Sequence, residues 1–260
     1  MQSNKQVSNE SQYIEKLKEY KIASDFRKPF YANFTLPTFH GKTQDGKTIS
    51  PSNLGEAATL GSVVFNGKLP TVDQYKGPDT YVHPVWGTYQ TGLRAKIAGT
   101  DQWNEEILAQ ASKVGVNPLA IKIFMAVETG GHHSTSINAW DCVGLMQVQI
   151  KNIAEPNRSK IINDPAFNIY YGCKIAMGKH AYAKNLIKNE GDKYTRYKNM
   201  GYELKPNIFG VAWLYNGFNI SETNKSANGA LYGYQVAAMY QGFGRDPFTD
   251  TVLTLDVLGG

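Results

Sequence analysis

From Thr100 onward, apolar residues recur at helical intervals. Trp103, Ile107, Leu108, Ala111 and Val114 fall on one stripe, which predicts an amphipathic helix. Asn117 followed by Pro118 reads as an N-cap and a first-turn proline. The helix they open carries Leu119, Ile121, Phe124, Met125 and Val127 and stops at Gly130-Gly131. Three further helices are expected, at about 166–189, 207–215 and 230–240. Near the start, Tyr13, Ile14, Leu17 and Tyr20 predict a short amphipathic helix within 10–25. Between Pro29 and about Gly99 the helical period is lost. Turn dipeptides at Asp45-Gly46 and Asn66-Gly67 punctuate β-prone runs such as Ser62–Phe65, so this stretch reads as loop-rich with a few strands. The last residues, 249–260, alternate and read as a strand or a docking tail. The pattern therefore predicts a mainly α (α+β) chain in three parts: an N-terminal region over 1–99, a helical domain over 100–245 and a tail over 246–260.

Composition places the chain among globular proteins. Of its 260 residues 42% are apolar, enough for a real core. No apolar run approaches the roughly 20 residues of a membrane span, and the polar opening MQSNKQVSNESQ shows no signal peptide. Sixteen Tyr, eleven Phe and four Trp are mostly core material; any left exposed would suit the apolar face of a sugar ring. The net charge of +5 is concentrated between Lys151 and Lys205, with eleven Lys/Arg against five Asp/Glu. Such a surface suits an anionic polymer, but it lacks the dense basic-aromatic interleaving of a nucleic-acid groove. A solvated helix face is the plainer reading, and no nucleic-acid partner is expected.

The densest chemistry lies in Ala126–Gln149, which holds Glu128, His132, His133, Asp141 and Cys142. A metal site would need ligands that converge, as two histidines do at i and i+4 of a helix. Here His132 and His133 are adjacent and follow the glycines that end the helix, so they point apart, and no metal or cofactor is expected. Glu128 is different. It closes an apolar helix, and a carboxyl held against apolar surface has a raised pKa, which suits a general acid near neutrality. Cys142 and Cys173 form no C-x-x-C pair; a disulfide and two free thiols both fit the spacing.

Four segments in order resemble the soluble (SLT) type of lytic transglycosylase. They are AVETG at 126–130, GLMQV at 144–148, DPAFNIYYG at 164–172 and AWLYNGF at 212–218. The resemblance spans roughly 100–245 and implies a lysozyme-like fold that cleaves the β-1,4 bond between MurNAc and GlcNAc in peptidoglycan. It implies Glu128 as the catalytic acid, with Thr129 where the family has serine. It further implies a sugar groove lined by Gly144, Leu145, Met146, Gln147, Tyr215 and Asn216. Asn168 and Gly172 are taken as structural. Asn138 stands where the family carries serine, six residues before GLMQ. A groove tyrosine is expected from YGYQVAAMY, with Tyr232 and Tyr234 as rivals. The sequence departs from the family at Trp140-Asp141-Cys142, where small residues are customary.

In such enzymes one glutamate acts as acid and then base, releasing 1,6-anhydro-MurNAc ends. A hydrolytic muramidase would need a second carboxylate, and Asp141 is the one between Glu128 and GLMQ. The expected partner is the peptidoglycan glycan strand. A phage context is expected: a virion (phage tail or internal) enzyme acting at the host periplasm and wall, tethered to tail or virion proteins through 1–99, or alternatively an endolysin released from the host cytoplasm. A catalytically silent wall-binding or structural virion protein is the reading from another class.

Overall fold

The computed structural model describes residues 68–82, 89–189, 204–217 and 228–253. The helix expected over 10–25, the turns at Asp45-Gly46 and Asn66-Gly67 and the run Ser62–Phe65 lie outside these residues. Within them the chain is mostly helical, as the mainly α reading expects, with two small two-stranded antiparallel sheets. Strand β1 (Tyr81–Val82) pairs with β2 (Tyr89–Gln90). The helices α1 (Leu93–Thr100), α2 (Asn104–Val114) and α3 (Pro118–Glu128) follow. The hairpin of β3 (Cys142–Val143) and β4 (Val148–Gln149) comes next. Helices α4 (Asn157–Asn163), α5 (Pro165–Asn189), α6 (Ile208–Tyr215) and α7 (Asn228–Gly242) complete the described residues.

Helix α3 is the axis of the molecule. The Asn117 side chain accepts hydrogen bonds from the Leu119 and Ala120 N–H groups at 3.0 and 3.3 Å, and Pro118 takes the first turn. Every residue from Pro118 to Ala126 is buried, because α1, α2, α5 and α7 pack around it. A helix apolar on all sides belongs inside a core. Leu119, Ile121, Ile123, Phe124 and Met125 are each at most 1% exposed and contribute about 1.5–3 kcal/mol apiece. Past Glu128 the chain leaves the helix through Gly130 and Gly131, with φ of 61° and 78°. A Cβ on Gly131 would stand 2.1 Å from the Gly99 carbonyl oxygen. The ends of α1 and α3 thus meet backbone to backbone, which only glycine permits.

Lys122 is the exception on this helix, fully buried among apolar neighbours. Its ammonium donates to the Pro70 carbonyl at 2.7 Å, to the Asn104 side chain at 2.7 Å and to the Asp101 carboxylate. Three donors meet three acceptors, so the buried charge is satisfied. Burial pushes its pKa down, and the bond and charge of Asp101 oppose that.

At two boundaries expected from sequence the described residues pack continuously. The division at 99/100 falls inside the last turn of α1, and Leu69, Tyr75, Tyr81, Leu93 and Ile97 belong to the same core as α3. The described residues between 68 and 99 are therefore part of the helical body. Helix α1 escapes the sequence pattern because it buries only Leu93, Ile97 and Thr100, follows Gly92 and contains Gly99. Tertiary packing, not propensity, holds so short a helix. Likewise α4 buries Ile161 alone. The second boundary is at the tail. The Asn117 N–H donates to the Val252 carbonyl at 2.8 Å, and Val116 bridges Leu253. Asp250 accepts from the Tyr240 hydroxyl at 3.0 Å and from Arg245 at 3.1 Å, while Tyr240 accepts from Asn117 at 2.9 Å. Residues 246–253 thus clamp the start of α3; the alternation yields one bridge, and 254–260 lie outside the described residues.

Cys142 and Cys173 are both free thiols, Cys173 buried within α5. No helix among the described residues is long and apolar enough to cross a membrane.

Candidate active site

Glu128 ends α3 where that helix emerges from the core, and its side chain is buried on most sides while still touching solvent. Three rings wall it. Phe124, one turn back on the same helix face, lies 5.2 Å from Tyr215 and 6.3 Å from Tyr232, centroid to centroid. Tyr215 and Tyr232 stack nearly parallel, 13° apart in plane and 6.3 Å between centroids. Burial pushes the Glu128 carboxyl up to about 7, and hydrogen bonding from Tyr232 opposes the shift. That bond is weak: the buried Tyr232 hydroxyl faces the carboxyl without closing a short, well-aligned contact on any partner. The Tyr215 hydroxyl is anchored, donating to the Met146 carbonyl at 3.0 Å. The pKa values of both tyrosines are raised, by burial first and then by the Glu128 charge.

The β3–β4 hairpin adjoins these rings through Tyr215. Gly144 to Gln147 form its turn, closed by the Gln147 N–H donating to the Gly144 carbonyl at 3.1 Å. Gly144 has φ of 76°, and a Cβ there would lie 2.2 Å from the Asn168 amide nitrogen. Asn168, fully buried in α5, accepts from the Met146 N–H at 2.9 Å and donates to Val143 and Ile161 carbonyls at 3.1 Å each. It therefore fastens the turn to the helix. Gly172 of α5 lies against the Met146 side chain, where a Cβ would collide. The Thr129 hydroxyl ties the end of α3 to the same turn, donating to the Leu145 carbonyl at 3.0 Å.

The expected groove residues take different places among these contacts. Leu145 and Met146 point into the core at 0% exposure, so their side chains do not line a groove; their carbonyls hold Thr129 and Tyr215. Gln147 is half-buried with φ of 44°. Its amide donates to the Gly144 carbonyl at 2.9 Å and accepts from Asn138 at 2.8 Å. Asn138 also accepts the N–H groups of Trp140 (2.8 Å) and Cys142 (3.0 Å), so it organises the loop before β3. Asn216 caps α6 and is exposed. The two tyrosine rivals separate cleanly. Tyr232 faces Glu128, whereas Tyr234, two residues on and so on another side of α7, packs against Phe209 at 4.8 Å.

Asp141 is exposed with φ of 58°, its N–H donating to the Asn138 carbonyl at 3.0 Å and its own carbonyl accepting from Ile150 at 2.9 Å. A left-handed aspartate in a tight loop is ordinary turn chemistry. Cys142, half-buried beside it, has its thiol pushed up by burial first and then by the charges of Glu128 and Asp141. His132 is exposed and His133 half-buried; among the described residues no three His, Cys, Asp or Glu side chains group as metal ligands would.

The sequence reading missed Phe124 and Cys142 as neighbours of the acid. Phe124 stands four residues before Glu128, which places both on one helix face and was a usable signal. Cys142 carried none, because the hairpin that brings it there is set by Asn138 and Asn168. Comparison with protein-family models, with curated proteins and with solved structures finds no match for this chain.

Proposed function

We propose that this chain is a peptidoglycan-cleaving lytic transglycosylase with a lysozyme-like catalytic domain. The observation that carries the reading is a single carboxyl, Glu128, walled by rings, touching solvent and held by burial at a pKa of about 7. Such a group is protonated often enough near neutrality to donate to a leaving oxygen, and basic enough to take a proton back. In this mechanism Glu128 protonates the glycosidic oxygen between MurNAc and GlcNAc, and the muramyl N-acetyl group stabilises the cationic carbon. The carboxylate then removes the C6 hydroxyl proton as that oxygen closes the 1,6-anhydro ring. The Tyr232 hydroxyl, lacking a close partner within the protein, is available to a sugar hydroxyl or to the carboxylate as its charge forms. No metal or cofactor takes part.

The glycan strand is the partner, and we place the enzyme in a phage particle, opening the host wall during entry. The test is Glu128→Gln. Purified peptidoglycan should be solubilised by the wild type and left intact by the amide variant, with unchanged helical content. Mass analysis of the released muropeptides identifies the reaction, since anhydro ends are one water lighter than reducing ends. Reducing ends, together with a dead Asp141→Ala variant, would point instead to a hydrolytic muramidase using Asp141. Binding to the wall without release of fragments would mark a silent module.

A further inference from the structure

Trp140 is the largest apolar side chain left in solvent among the described residues, 78% exposed. A lone exposed apolar residue normally needs no explanation, but this one differs in three respects. Its backbone is held on every side: its N–H donates to Asn138 at 2.8 Å, and its carbonyl accepts from the Gln149 amide at 3.2 Å and the Cys142 thiol at 3.5 Å. The flanking Asp141 sits at φ of 58°, which fixes the direction in which the loop leaves the hairpin. The indole is thus presented from a pinned tip and not from a loose loop. Its place matters too. Asn138, which holds Trp140, also holds Gln147, and the turn that ends in Gln147 accepts from the hydroxyl of Thr129, next to Glu128, at 3.0 Å. Trp140 therefore stands on the loop leading into the hairpin that Thr129 ties to the end of α3, with Ile137, 45% exposed, three residues before it in the same loop.

An indole is a flat apolar face with one donor, and its natural complement is a flat apolar face with hydroxyls around it. A pyranose ring of a β-linked N-acetylhexosamine presents such a face, whereas a peptide stem or a nucleotide phosphate does not. We infer that Trp140 is a sugar-stacking platform that binds an N-acetylhexosamine ring of the glycan beside the cleavage site and sets where the strand lies against Glu128. The inference rests on the proposed action of this site on peptidoglycan. It adds a specificity-determining residue at the position where the sequence departs from the resemblance.

The test measures binding apart from cleavage. In the Glu128→Gln background, titration with a soluble oligomer of N-acetylglucosamine should quench and shift the tryptophan emission. Adding Trp140→Ala should weaken binding by about tenfold or more and abolish most of that signal. Trp140→Phe, which keeps a ring, should restore part of the affinity. In the otherwise wild-type protein, Trp140→Ala should lower kcat/KM on peptidoglycan with the loss falling on KM. Because the side chain buries almost nothing, the melting temperature should not move.

Equal affinity in the alanine variant would overturn the inference while leaving lysis by Glu128 untouched. Conversely, Trp140-dependent oligosaccharide binding by a protein that releases no wall fragments would sustain the platform and remove the proposed reaction. A Trp140-dependent emission shift on phosphatidylglycerol vesicles without any on the oligosaccharide would also overturn it, assigning the indole to a lipid surface.

Discussion

Glu128 is a partly exposed residue whose carboxyl is nonetheless buried enough to raise its pKa from 4.5 to about 7. The linkage follows directly. A group whose folded pKa is raised contributes stability that is fully present below its unfolded pKa and is lost as pH climbs through the folded one. Here the window runs from about 4.5 to about 7. Glu128→Gln removes the ionisation, so the variant should match the wild type near pH 4 and exceed it above pH 7. The gap is on the order of 3 kcal/mol at most, at 1.36 kcal/mol per unit. Denaturant melts of both proteins across that range measure it, and a gap that widened toward low pH would contradict the assignment. The same titration limits the first proton transfer, so wall lysis should decline as pH rises through about 7.

Among elements, the hairpin turn matters most, because it anchors both Thr129 and Tyr215. Gly144→Ala meets two obstacles at once: a left-handed φ of 76° and an Asn168 amide 2.2 Å from the new methyl. Displacing Asn168 strands three buried backbone groups, those of Val143, Met146 and Ile161. A loss of roughly 2–4 kcal/mol in thermal denaturation is expected, and lysis should fall further than stability, since the displaced turn carries the anchors of Thr129 and Tyr215. The position of Glu128 at the end of α3 was legible because everything that bounds α3 is local: Asn117, Pro118 and the two glycines lie within its own segment. Helices α2, α5, α6 and α7 were legible through their periodicity. What stayed hidden depends on partners far along the chain. The burial of Lys122 is explicable only with Pro70, Asp101 and Asn104 in view, and the choice of Tyr232 over Tyr234 needs the face α7 turns toward α3. Leu145 and Met146 sit in a motif associated with the groove, and only the fold turns their side chains inward.

For the molecule as a whole, the decisive question is what counts as one folding unit. The helical period alone marks 100–245, yet the core crosses both ends of that interval. On one side Leu69, Tyr75, Tyr81, Leu93 and Ile97 are buried, and on the other Val252. Lys122 binds the strand of chain at Pro70 to the central helix, and Asp250 locks Tyr240 and Arg245. At about 1.5–3 kcal/mol per large apolar side chain, these six residues together contribute about 9–18 kcal/mol. That matches or exceeds the whole net stability of an ordinary domain, about 5–15 kcal/mol. A fragment of residues 100–245 would also leave Lys122 charged in an apolar interior without Asp101's neighbour at Pro70, and would open the end of α3 at Asn117. It should therefore show no cooperative thermal transition, bind a hydrophobic dye and lack lytic activity. A fragment of residues 68–253 keeps every one of these contacts and should melt in a single transition. If 100–245 melted as sharply as 68–253, the flanks would be accessory and the periodicity would have marked the true domain. The contacts at Lys122 and Asn117 argue the opposite, because both belong to the helix that ends in Glu128: what secures the two flanks also fixes the acid.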